Sequence, residues 1–159
     1  MDGMTELERL LAIEDIKLLK ARRDRAADTK DWALYLSLHA PDHVSENDGF
    51  PRWGSAQEMI DNVSRLMGEH RITVHHSHTP EITFETSTRA KGIWAMEDMI
   101  FDAESKELLI HGFGFYHETY EKRDGAWLFT SRRLRYYHTR RSPGAIFPPP
   151  IGDAEPDEK

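Results

Sequence analysis

The chain has no cysteine. Disulfides, thiolate nucleophiles and cysteine-held zinc or iron–sulfur centres are therefore excluded, and an intracellular, cytoplasmic location is expected. No run of about 18 uncharged apolar residues occurs, and no apolar segment follows a basic start, so neither a membrane span nor a secretory leader is expected. Basic charge is in deficit: 21 lysines and arginines stand against 28 acids, a formal charge of −7. A nucleic-acid partner would need a cationic footprint, and none is expected here. The one basic cluster, Arg132, Arg133, Arg135, Arg140 and Arg141, divides between two faces on a strand. Arg133 and Arg135 share one face and Arg132 points the other way, which reads as a solvated face plus one inward arginine. The serine elbow Gly-x-Ser-x-Gly, the phosphate loop and an early Gly-x-Gly-x-x-Gly are all missing; Gly112-Phe113-Gly114 lies mid-strand with no helix behind it.

What is present is a one-domain length of 159 residues, enough to bury a core without cross-links. Thr5-Glu6-Leu7-Glu8 has the form of a capping box. The segment after it is free of glycine and proline and carries Leu7, Leu10, Leu11, Leu18 and Leu19, which predicts a long first helix ending near Ala27. A turn at Asp28-Thr29-Lys30-Asp31 leads to a short second helix through Trp32 and Leu38, stopped by Pro41. Residues 43–54 read as a short strand or irregular loop. Ser55-Ala56-Gln57-Glu58 is a second capping box, opening a third helix that Gly68 ends.

From Ile72 the periodicity changes to that of strands: 72–86, 88–101, 107–121 and 126–138, with Arg123-Asp124-Gly125 as a hairpin turn. Strands of 13 to 15 residues exceed the usual five or six, which implies a strongly curved antiparallel sheet with a bulge or two. Helices followed by antiparallel strands predict an α+β fold, with the sheet wrapped around the helices and room for a cavity between them. A single domain over residues 1–141 is expected, followed over 142–159 by an extended proline-rich arm.

The richest stretch chemically is Ile72 to Glu85. Strand parity puts His76 and His78 on one face and His75 on the other. An imidazole facing inward is a candidate general base, being the side chain that titrates nearest neutrality. It needs a carboxylate to fix its tautomer, and Asp28 at the end of the first helix is the best placed, with Asp24 one turn earlier as the alternative. The rival chemistry is a divalent metal held by His76, His78 and a third ligand from His111, His117 or Glu81. No acid follows His78 at the offset of a cupin site, and neither metal nor cofactor is expected.

Taken in order, Asp28-x-x-Asp31-Trp32, the Val74-His75 strand start, Gly114-Phe115-Tyr116-His117-Glu118 and Arg123-Asp124-Gly125-x-Trp127-x-Phe129-x-x-Arg132-Arg133 resemble the SnoaL-like branch of the nuclear transport factor 2-like superfamily. The resemblance spans residues 5–140. It implies a cone-shaped fold, cofactor-independent lyase or cyclase chemistry, and a homo-oligomer, trimer or dimer. In the dehydratase-like members an aspartate at the end of the first helix pairs with a histidine on the long strand, which maps onto Asp28 and His75. Arg23 and Arg132 match positions that face the cavity of the dehydrochlorinase-like relatives. With Trp94, Met96, Asp98, Tyr116 and Tyr136 they form the expected substrate-binding set for a small hydrophobic cyclic molecule. Phe113 and Phe115 are further candidate walls. A polyketide-cyclase-like or isomerase activity with Asp98 as acid and base, and a non-catalytic binding or assembly module, are the alternatives.

Overall fold

The structure is a computed structural model that describes residues 3–143 and 145. Helix α1 (Glu6–Asp28) begins where Thr5 accepts from the Glu8 amide and Glu8 reaches back to the Thr5 amide, the reciprocal capping box. Lys30, at a positive φ of 61°, turns the chain into α2 (Trp32–Ser37). Strand β1 (His39–Asn47) follows, and then α3 (Ala56–Leu66), capped by Ser55. Four long strands complete the domain: β2 (Arg71–Thr86), β3 (Arg89–Asp102), β4 (Leu108–Arg123) and β5 (Ala126–Arg141). Asp124 and Gly125 make the β4–β5 turn, both at positive φ, the two-residue loop that matches the strand twist. Beyond Ser142, Pro143 and Ala145, the expected proline-rich arm lies outside the described residues.

The five strands form one open sheet in the order β1-β5-β4-β3-β2. Pairing is antiparallel from β2 to β5, as the long alternating runs imply, but β1 runs parallel to β5, so the sheet is mixed. Strand β1 also starts earlier than expected: α2 stops at Ser37, and Pro41 lies inside a strand. The position is tolerated because β1 is an edge strand whose register breaks between His39 and Val44. Bulges also interrupt β2 between Ser77 and Pro80 and β4–β5 at Phe113/Gly114 and Thr119/Tyr120. They supply the curvature that wraps the sheet around α1.

Helix α1 does not present the leucine face its sequence suggests. Leu7, Leu10, Leu11 and Leu18 are exposed, whereas Ile16, Leu19, Lys20, Arg23, Asp24 and Ala27 are buried against the sheet. A helix normally hides its leucines; this one turns ionisable groups inward because its C-terminal half closes the wide end of the cone, where the chain keeps polar groups. Two apolar clusters flank that polar centre. One packs Leu19, Trp94, Met96 and Phe129 between α1 and the sheet. The other joins Ala27, Tyr35, Trp53, Met59 and Ile60 under α2 and α3.

Candidate active site

The end of α1 meets the start of β2, and there the Asp28 carboxylate collects three donors. Oδ1 accepts from Thr73 Oγ1 at 3.0 Å and from His75 Nδ1 at 2.6 Å, and Oδ2 accepts from the His75 amide at 2.9 Å. The spacing Thr73-x-His75-x-Ser77 puts these three side chains on the inner face, as strand alternation requires. Ser77 donates to Asp24 Oδ2 at 2.6 Å, one helical turn before Asp28. Both aspartates weighed from the sequence therefore face β2, and Asp28 is the one on the ring. With Nδ1–H donating to an ionised carboxylate, the neutral imidazole carries its lone pair on Nε2. The His75 side chain is 11% exposed.

His75 lines a cavity of about 60 Å³ at the wide end of the cone, together with Arg23, Asp98, Tyr116, Arg132 and Tyr136. Burial lifts the Asp98 carboxyl above the usual carboxylate range, and His75 and the Tyr136 hydroxyl pull against that. Tyr136 donates to Asp98 Oδ2 at 2.5 Å, and Oδ1 is buried with no partner. Gly112, the register partner of Asp98, makes this possible: a methyl group there would collide with Asp98 Oδ1 and the Tyr136 ring. Burial likewise raises the Tyr116 phenol well above its ordinary value, so it stays a donor. Three buried cations surround that ring, with Lys20 Nζ at 3.8 Å, the Arg132 guanidinium at 5.1 Å and that of Arg23 at 5.5 Å.

Six of the expected substrate-side and catalytic residues thus share one cavity; Asp28 stands behind His75 at its rim. Trp94 and Met96 do not line it. They have the right parity, but they lie deeper in the cone, in the apolar cluster under α1. Phe113 and Phe115 are on the opposite face of the sheet, Phe113 against His111 and Phe115 against Tyr137. His76 and His78 are exposed on that same outer face, where Glu97 lies 2.7 Å from His111 and 3.9 Å from His78. Among the described residues no three such side chains converge as a ligand set.

The sequence did not point to the segment between β1 and β2. Asn47 at the end of β1, Phe50 and Trp53 in the loop after it, and Val63, Leu66 and Met67 at the end of α3 close the cavity. Nor did it mark Lys20, whose ammonium lies 2.5 Å from Glu118 Oε1 while Tyr120 donates to Oε2 and Trp94 donates to Tyr120. One signal was available. Lys20, Arg23, Asp24 and Asp28 recur at helical spacing along one face of α1, which on a core-facing helix marks a polar interior.

The SnoaL-like domain family matches residues 8–133, most of the chain. The chain belongs to the SnoaL-like family. Solved members of the same fold include a hexachlorocyclohexane dehydrochlorinase (type 2), 19% identical over 97% of this chain and 100% of that one, with a TM-score of 0.78. A scytalone dehydratase-like protein from Novosphingobium aromaticivorans is 20% identical over 95% and 100%, with a TM-score of 0.80. A type 3 hexachlorocyclohexane dehydrochlorinase from Novosphingobium barchaimii is 20% identical over 92% and 100%, with a TM-score of 0.76. At these identities the likeness is one of fold, including the open mixed sheet and its covering helices. Among the described residues no helix is long and apolar enough to cross a membrane.

Proposed function

We propose that this SnoaL-like domain is a cofactor-independent lyase, a dehydratase acting on a hydrophobic cyclic small molecule. The observation that carries the reading is the 2.6 Å contact between His75 Nδ1 and Asp28 Oδ1, beside a cavity that the same ring lines. His75 Nε2 removes the proton next to a carbonyl, and Asp28 holds the tautomer and stabilises the imidazolium. The electron pair of the broken C–H bond forms the double bond as the C–O bond breaks. The hydroxyl leaves as water with a proton from Asp98, whose burial favours the protonated acid. Tyr116 offers a donor to the carbonyl oxygen where negative charge builds up. Solvent resets the two groups by returning one proton to Asp98 and taking one from His75.

The cavity volume bears on the substrate. About 60 Å³ is far below the roughly 300 Å³ at which drug-sized ligand pockets begin, so a ring compound enters only if the cavity walls move apart. The test is a panel of cyclic β-hydroxyketones followed at the absorbance of the enone product, with wild type, His75→Gln and Asp98→Asn side by side. Loss of roughly 10²- to 10⁴-fold in His75→Gln is expected. Wild-type turnover by His75→Gln would refute the reading. Turnover abolished in Asp98→Asn but retained in His75→Gln would point instead to the isomerase or cyclase chemistry that the unpartnered Asp98 oxygen allows.

A further inference from the structure

The buried centre holds three cations, Lys20, Arg23 and Arg132, and three acids, Asp24, Asp98 and Glu118, each at most 7% exposed. Burial favours the neutral form of Asp98, whose hydrogen bond is to Tyr136 and not to a cation. Four of the other five are matched. Lys20 pairs with Glu118, and Arg23 bonds Asp24 through Nη1 at 2.9 Å and the Tyr35 hydroxyl through Nη2 at 2.8 Å. Asp28 is held by His75, with Lys30 acting on it from the solvent side. Asp48, the remaining ionisable acid of the wall beside Asp98, is bound to Arg135 at 2.9 Å and to the Tyr136 amide.

Arg132 is the exception. Among the described residues its hydrogen bond is from Nη2 to the neutral amide oxygen of Asn47 at 3.0 Å, and Nε and Nη1 are buried without a partner. A buried guanidinium with no counter-ion and unused donors is costly, and proteins otherwise pair such a group or neutralise it. Arginine does not lose its proton, so the balancing charge has to arrive from outside. The space suits an acidic headgroup: about 60 Å³ is several times the roughly 10–15 Å³ that a cavity needs to hold one water. The wall facing it, Phe50, Val63, Leu66 and Met67, is apolar.

We propose that the cavity binds the carboxylate of a small organic acid, with Arg132 as its counter-ion and the apolar body of the acid against the α3 wall. This rests on the reading of the cavity as a substrate pocket and names the class of molecule it takes; it does not depend on the elimination step. The acid group orients the ring so that a carbon next to a carbonyl faces His75, and neutral ring compounds, which leave the arginine unanswered, bind more weakly.

Equilibrium binding tests this without turnover. Benzoate and benzamide have nearly the same shape and differ in charge; each is titrated by calorimetry, with Trp53 in the wall as a fluorescence reporter. Benzoate is expected to bind at least about tenfold more tightly than benzamide. Arg132→Met should erase the preference, and Arg132→Lys should keep part of it. Asn47→Asp supplies the missing charge from inside, so it too should erase the preference while raising the melting temperature by several degrees. Equal affinities for the two probes, or no benzoate binding up to about 10 mM, overturn the proposal. An Asn47→Asp variant that melts below wild type also overturns it, because the Arg132 charge would then already be balanced. His75→Gln should retain the benzoate preference, so failure of the elimination chemistry and failure of carboxylate recognition give different results.

Discussion

Mild acid should destabilise this domain through two buried imidazoles, His39 and His43. The His43 side chain is completely buried; Nδ1 donates to the Phe129 carbonyl at 3.2 Å, and Nε2 accepts from Ser45 Oγ at 3.0 Å. Burial, with Arg23 adding repulsion, brings its pKa from 6.5 down to about 4, against the pull of the Phe129 carbonyl and Asp42. The unfolded chain therefore takes up this proton near pH 6.5 and the folded chain only near pH 4. Stability is full above that window and is lost as pH falls through it. A shift of about 2.5 units caps the loss at roughly 3 kcal/mol, and integrating between pH 7 and pH 5 gives about 2 kcal/mol. His39 adds to the slope in the same direction, because burial and the neighbouring His43 hold its pKa well below the usual value. Urea denaturation at several pH values measures the slope in wild type and in His43→Leu. The variant should be less stable at pH 7, since the Phe129 carbonyl and Ser45 lose a partner, but its stability should fall by about 2 kcal/mol less on going to pH 5. Parallel slopes for the two proteins would refute the assignment of this loss to His43.

Three further outcomes follow from the buried centre. Lys20→Met should cost roughly 3–5 kcal/mol, because it strands Glu118 in a site where neither partner is more than 1% exposed; Lys20→Met/Glu118→Leu should recover most of that loss in a double-mutant denaturation cycle. Asp98→Asn should become more stable than wild type as pH rises. A carboxyl whose folded pKa is raised is penalised once ionised, so the difference measured by denaturation at pH 8 should close towards pH 4. Gly114→Ala places a methyl on the Arg135 carbonyl oxygen at the bulge in β4–β5. It should lower stability by about 1–3 kcal/mol, visible as a drop in melting temperature.

Part of the site was legible before any coordinates. The alternation of a strand is local, so Thr73, His75 and Ser77 had to share a face, with His76 and His78 on the other. The Thr5 capping box, the Ser55 cap, the Asp124-Gly125 turn and the four long strands are likewise short-range features that lie where their residues imply, although at α3 Glu58 bonds the Gly54 amide and does not close the box on Ser55. Asp28 and His75 were singled out by the order of motifs, and the fold places His75 Nδ1 2.6 Å from Asp28 Oδ1.

Parity also grouped Trp94, Met96, Asp98 and Ile100 on one face of β3, but it says nothing of depth along a cone. Asp98 lines the cavity, whereas Met96 two residues earlier packs in the apolar core. The parallel docking of β1 on β5, the closure of the cavity by α3 and the Lys20–Glu118 pair join segments tens of residues apart. Such contacts are set by how whole elements pack, through burial energies summed over many side chains, and no local pattern encodes them. The sequence by itself determined which residues point inward; the tertiary structure alone decided which of those meet each other, and left two Arg132 nitrogens buried without a hydrogen-bond partner.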